Sequence, residues 1–454
     1  MPFVSSNPAN GQALRRYRPH TRAAVTCATD RAHDAFLDWS PLSPAARARH
    51  LRALARALRA RQTELAALIT AEVGKPITQS LAEIEKCALA CDYYAAQGPR
   101  FLRPEQPAGA PANARVEFAP LGIVLAVMPW NFPFWQVFRA VAPILISGNT
   151  VLLKHAANVS GCALAIEQLF HAARFPSVVF QTLLIEPARV AALIADSRIR
   201  AVTMTGSTAA GKKIAALAGA AMIPGVYELG GSDAMLILAD ADIARAAEIC
   251  AQSRLINSGQ SCVSAKRFIV VRSVQKAFEK AFTARMAAHL VGNPTDPATQ
   301  VGPLARPDLR ATLHDQVRRS LRAGARLLLG GAPLPGPGNF YAPTVLTDVR
   351  PGMPAYAEEI FGPVAAIIPV PNEAAAIATA NDSIFGLGAA IFTRNRRRGA
   401  ALARQLDVGM VFINSQVRSE LDLPFGGTKQ SGQGRDLGVW GLRAFVNQKT
   451  VYVG

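Results

Sequence analysis

Apolar residues recur along this chain in two textures. Between residues 30 and 97 their spacing is helical. In "SPAARARHLRALARALRARQ", which starts at Ser43, Leu51, Leu54 and Leu58 share one face and arginines occupy the rest. That is the pattern of an amphipathic helix with a solvated side. "EVGKPI" interrupts the helical region, with Gly74 and Pro76 as stop signals. A proline-rich loop, "RPEQPAGAPANA", comes next, and beyond it the texture changes. "GIVLAVMPW" and "TVLLKH" are short apolar runs of strand type, separated by the helix-like "WQVFRAVAPIL". "CALAIEQLFHAA", "VVFQTLLI", "RVAALIADS" and "IRAVTMTG" continue the alternation. Strands alternating with helices predict βαβ units and a doubly wound parallel sheet, with ligands bound at the carboxyl ends of the strands. A second alternating region opens at Gly230–Gly231 with "AMLILAD", "IARAAEICAQSRL" and "RFIVV", and runs to about residue 425. The final "AFVNQKTVYVG" is β-rich, a tail of the kind that pairs with another subunit.

Composition narrows the class. The chain has 454 residues, half of them hydrophobic and 18% charged, which suits two or three packed domains. The net charge of +18 raises nucleic acid or an acidic membrane as a partner. No finger, RNA-binding signature or aromatic-interleaved basic patch supports either, and the arginines of the first helix and of "RNRRR" read as solvated faces. The six cysteines form no CxxC pair, and Cys87 and Cys91 read as core residues with no histidine pair to complete a metal site. The N-terminus lacks a signal pattern, and the longest apolar run is broken by prolines. The expectation is a cytoplasmic protein with no metal, no nucleic acid and no membrane partner.

Three stretches carry chemistry. Cys262 sits in "NSGQSCVSAKR", whose small polar residues are poor core material. It reads either as a packing thiol or as a nucleophile. Glu228, in "VYELGG", ends a strand before two glycines, and Asn131, in "PWNFP", ends another. A thiol, a carboxylate that can activate water and an amide donor for an oxyanion form a complete set for acyl chemistry. In "TMTGSTAAGKKI", Gly206 permits a tight turn and Ser207 and Thr208 can cap a helix whose N-terminus suits a phosphate. A cofactor-independent thiol esterase would use the same Cys262 and Glu228 but not that cradle.

"PWNFP", "TVLLKHA", "TMTGSTAAGKKI", "ELGGSDAMLIL", "NSGQSC", "EEIFGPV" and "PFGGTKQSGQGR", in this order, resemble the NAD(P)-dependent aldehyde dehydrogenase superfamily over nearly the whole chain. The resemblance implies a cofactor-binding domain over residues 1–100 and 121–230, a catalytic domain over 231–425, and an oligomerisation arm over 101–120 and 426–454. It implies Cys262 as nucleophile, Glu228 as general base and Asn131 as oxyanion donor. It places Lys154 at the adenosine ribose, Gly206 and Ser207 at the pyrophosphate, Glu359 at the nicotinamide ribose with Phe361 beside it, and Trp130 in the same site. "EVGKPITQSLAEIEKCALACDYYA" and "KHAANV" resemble the branch of bacterial succinate-semialdehyde dehydrogenases. There Arg139 matches a carboxylate-binding arginine, with Arg254 and Ser419 as further candidates for the same anion. A homodimer or homotetramer is expected. Ala157 stands where NAD-preferring relatives carry a glutamate, so NADP is expected as cofactor, with NAD also accepted. Val178 replaces a usual glycine. Asp422 replaces an expected basic residue, and an acid near the substrate mouth is expected to oppose an anionic aldehyde.

Overall fold

The computed structural model describes residues 2–176 and 178–454. Two largely parallel sheets organise it. The first has six strands in the order Gly432–Gln433, Gly225–Glu228, Ile199–Thr205, Ile123–Met128, Thr150–His155 and Phe180–Thr182. Only Gly432–Gln433 runs antiparallel, pairing with Tyr227 and Glu228. The run "IVLAVM" is continuously apolar because helices cover both sheet faces; Thr150–His155 is also buried throughout, with Val151–Leu153 as its apolar centre. The second sheet has seven strands: Arg326–Leu329, Thr344–Thr347, Val364–Val370, Arg267–Val271, Ala234–Ile237, Gly388–Phe392 and Met410–Ile413. Its edge strand Arg326–Leu329 is antiparallel and the rest are parallel. Ala114–Pro120 and Val446–Tyr452 pair separately as an antiparallel arm.

The amphipathic helix forms as its pattern requires: Pro44–Ala60 is capped by the Ser43 side chain and buries Leu51, Leu54 and Leu58. Its arginines are not all solvated. Arg47 is buried and donates to the carbonyls of Ile146, Ser40 and Leu42. Helix Gln62–Val73 ends on Gly74 at φ 79, and the chain restarts as Ile77–Phe101. Cys87 and Cys91 lie inside the core that this long helix shares with Trp135–Ile146. The apolar run "VVFQTLLI" yields a strand only over Phe180–Thr182. Val178, before it, adopts φ 67, a left-handed conformation that a β-branched side chain rarely takes and that glycine takes freely. One expected boundary moves: Gly432–Gln433 belongs to the first sheet and Gly438–Arg443 packs on its helices, so the separate arm is Ala114–Pro120 with Val446–Tyr452.

Candidate active site

The loop carrying Cys262 follows helix Ile243–Leu255. Asn257, Ser258 and Gly259 are all left-handed, at φ 49, 56 and 77. Two successive non-glycine residues in that region persist only when their surroundings hold them. The Asn257 amide donates to Asn131 O at 2.8 Å and to Gln260 O at 3.2 Å. The Ser258 hydroxyl donates to Gly302 O and accepts from Gly302 N, each at 2.9 Å. A Cβ on Gly259 would collide with Gly362 O, so only glycine fits. The Lys266 ammonium, wholly buried, donates to the carbonyls of Ser261, Cys262 and Ser264 at 2.9, 2.8 and 3.0 Å. Two elements thus clamp the loop, and Cys262 stands half-buried on a cavity wall.

That cavity has a volume of about 620 Å³, and Asn131 shares its wall with Cys262. Asn131 Nδ2 donates to Gln260 O at 3.1 Å, which leaves its second N–H for another acceptor. Glu228 is 2% exposed, and neither carboxyl oxygen has a hydrogen-bond partner among the described residues. Burial drives its pKa well above the carboxylate range, against the charges of Arg139 and Arg435. A Cβ on Gly426 would sit 2.6 Å from Glu228 Oε1, so this glycine makes room for the carboxyl. Burial also pushes the Cys262 thiol up to about 12; Arg139 and Lys266 oppose the shift, and Glu228 and Asp233 reinforce it.

The residues expected at the cofactor gather on the same wall. Lys154, Gly206, Ser207, Glu359, Phe361 and Trp130 all line the cavity. Lys154 is 9% exposed and has no ion pair among the described residues, a desolvated cation facing an open space. Ser207 caps helix Thr208–Ala220 by accepting from Ala210 N, which leaves N–H groups of the first turn facing the cavity. Glu359 Oε1 accepts from Gly231 N at 3.0 Å and lies 3.8 Å from Lys266 Nζ. Phe361 meets Trp130 edge to face at 5.9 Å. These features fit a dinucleotide with phosphate groups. Ala157 lies outside that wall, exposed on the turn Ala157–Val159. Lys213, which the sequence reading missed, lines the cavity from helix Thr208–Ala220. Lys266 was missed too; a lysine set among the small residues of "CVSAKR" was the available signal.

The substrate candidates fare differently. Arg139 is 1% exposed and its Nε pairs with Asp436 Oδ2 at 2.7 Å; Nη2 donates to Thr205 and the guanidinium lies over Phe425. It is a buried cation paired with an internal carboxylate, and it is not among the residues on the wall of the Cys262 cavity. Arg254, fully buried, donates to Ala265 O at 2.8 Å and Gly259 O at 2.6 Å and supports the Cys262 loop from behind; it too lies off the cavity wall. Ser419 remains available, with its hydroxyl accepting from Lys86 Nζ at 2.6 Å. Asp422 is exposed and its charge bears on Tyr93. No group of three or more metal-ligating side chains occurs among the described residues. No helix among them is long and apolar enough to cross a membrane.

The sequence profile of the Aldehyde dehydrogenase family matches residues 2–451. A protein of Synechocystis sp. named a probable succinate-semialdehyde dehydrogenase acting with NADP(+) is 46% identical over 453 residues, covering 100% of both chains. The Escherichia coli succinate semialdehyde dehydrogenase Sad, which uses NAD(P)+, is 46% identical over 99% of this chain and 97% of its own. The crystal structure of succinic semialdehyde dehydrogenase from Streptococcus pyogenes in complex with NADP+ superposes with a TM-score of 0.96 at 36% identity, covering 99% of each chain.

Proposed function

The chain belongs to the aldehyde dehydrogenase family, and we propose that it oxidises succinate semialdehyde to the acid with NADP, accepting NAD as well. The observation that carries this reading is a single cavity whose wall holds Cys262 and Asn131 together with Lys154 and Glu359. A thiol esterase would need the first pair and not the second.

The chain's own groups then act as follows. The Cys262 thiol gives up its proton to solvent, the thiolate sulfur adds to the aldehyde carbon, and the free N–H of Asn131 donates to the oxygen that gains the charge. Lys154 would hold the adenosine end of the dinucleotide, the helix opened by Ser207 its phosphates, and Glu359 its second ribose. The chemistry a bound nicotinamide supplies is acceptance of the substrate's hydride. Loss of that hydride leaves a thioester on Cys262. Glu228, once ionised, takes a proton from water, and the water oxygen displaces the thiol to release the acid. Gly426, with no side chain, leaves the space that the carboxyl occupies.

The arm supports self-association: Val446–Tyr452 is mostly exposed and pairs on one side only, with Ala114–Pro120. It suits a homodimer or homotetramer, which light scattering reads directly. A cytoplasmic location belongs to the same reading. The test of function is NADPH and NADH formation against acidic, aliphatic and aromatic aldehydes. Cys262→Ala should abolish oxidation of every aldehyde while NADPH still binds by fluorescence titration. Oxidation at the wild-type rate by that variant would refute the mechanism.

A further inference from the structure

Three parts of the site meet at Gly230 and Gly231, just past the strand end that carries Glu228. A Cβ on Gly231 would stand 2.8 Å from Cys262 O, and one on Gly230 would stand 2.6 Å from Glu359 Oε2. Lys266 is the ammonium buried at this meeting, between Cys262 O and Glu359. We propose that Lys266 is a positioning residue: by holding the Cys262 carbonyl and the Glu359 carboxylate together, it fixes where the sulfur stands relative to the dinucleotide. The inference rests on the reading of the Cys262 cavity as an aldehyde-oxidising site that takes a dinucleotide.

Lys266 is 1% exposed, and its three N–H donors go to Ser261 O, Cys262 O and Ser264 O. An ammonium has no fourth donor, so its place is fixed from three directions. Glu359 Oε1 lies 3.8 Å from the same nitrogen and accepts from Gly231 N on its other side. That leaves Oε2, without a hydrogen bond among the described residues, for a ribose hydroxyl. A neutral donor could satisfy the carbonyls at less cost than a buried ammonium. Only a cation also holds the carboxylate in its ionised form: burial raises Glu359, and Lys266 is the foremost charge opposing the rise. The same charge acts on the thiol. Arg139 and Lys266 favour the Cys262 thiolate, and Glu228 and Asp233 oppose it. Of these four, Lys266 is the one that also bonds to the Cys262 backbone among the described residues.

The test is a double-mutant cycle of Lys266→Met and Glu359→Gln with two readouts. The first is the dissociation constant of NADPH, by fluorescence titration. The second is the rate of the first NADPH-forming turnover with butanal, which matches the chain length of succinate semialdehyde without its charge. Each single variant should raise the constant by about fivefold or more and slow the first turnover by about tenfold or more. The double variant should be no worse than the poorer single, because both changes break one unit. Losses that multiply across the cycle would overturn the assignment. A third readout needs no cofactor: alkylation of Cys262 by iodoacetamide at fixed pH, followed by peptide mass spectrometry. Lys266→Met removes a cation beside the thiol and should slow alkylation by about threefold or more. A loop that had merely come loose would expose the thiol, so an unchanged or faster rate would also overturn it. A wild type that binds neither NADPH nor NADH would instead remove the dehydrogenase reading, and the alkylation rate would still decide the role of Lys266. Should Lys266→Met not fold, Lys266→Gln carries the same comparison.

Discussion

Replacing Arg139 by methionine separates two roles that the sequence leaves open. If Arg139 held a substrate carboxylate, the damage would be confined to acidic aldehydes. The structure instead buries it, 1% exposed, against Asp436, 2% exposed, with Nε and Oδ2 2.7 Å apart. Removing one member of a buried pair strands the other and costs about 3–5 kcal/mol. Unfolding entropy near 60 °C is about 2.1 cal/mol/K per residue, so a chain of 454 residues changes its Tm by about 1 °C per kcal/mol. Arg139→Met should therefore lower Tm by about 3–5 °C. Arg139→Met/Asp436→Leu should recover most of the loss, since exchanging a whole buried pair for packed apolar side chains is close to neutral. Differential scanning fluorimetry measures the cycle. Steady-state kinetics should show succinate semialdehyde and butanal affected by the same factor, because the change reaches both through Glu228 and Cys262. A KM raised tenfold for the acidic aldehyde alone, with Tm unchanged, would refute the ion pair and restore Arg139 to the substrate.

Two further outcomes test the rest of the site. Glu228→Gln keeps the shape but cannot take a proton from water, so rapid mixing should show a burst of NADPH followed by slow turnover; equal slowing of both phases would move the base elsewhere. Ala157→Glu places a carboxylate on the turn after Lys154, where it would repel a 2′-phosphate of charge near −1.5 to −2. The ratio of kcat/KM for NADP to that for NAD should fall by at least about tenfold, and an unchanged ratio would place the phosphate away from this turn.

Much of this fold was legible in the sequence because parallel strands buried on both faces leave apolar runs, as in "IVLAVM" and the "VLL" of "TVLLKH". Gly74 was legible as a helix end because only a left-handed residue fits there. Cys262 was legible from neighbours too small or polar for a core, and Asn131 and Glu228 were read from their places at strand ends. Other features leave no local trace. Gly432–Gln433 is a two-residue strand, too short to show an alternating pattern, so its place in the first sheet was missed. Arg139 was visible as a cation near the right turn, but its partner Asp436 lies far along the chain and nothing local identifies it. Arg47 looked like one more solvated arginine until the carbonyls of Ser40, Leu42 and Ile146 converged on it.

The same charges imply a pH dependence of the chemistry itself. At rest, burial keeps both Glu228 and the Cys262 thiol protonated near neutral pH, and the Arg139 charge pulls against burial at both. Attack needs the thiolate and hydrolysis needs the carboxylate, so both steps gain as protons leave. For a neutral aldehyde such as butanal, kcat/KM should rise continuously from pH 7 to beyond pH 9, because kcat/KM reports the free enzyme. A profile flat over that range would mean that the thiol is already ionised at neutral pH and that burial does not hold its proton.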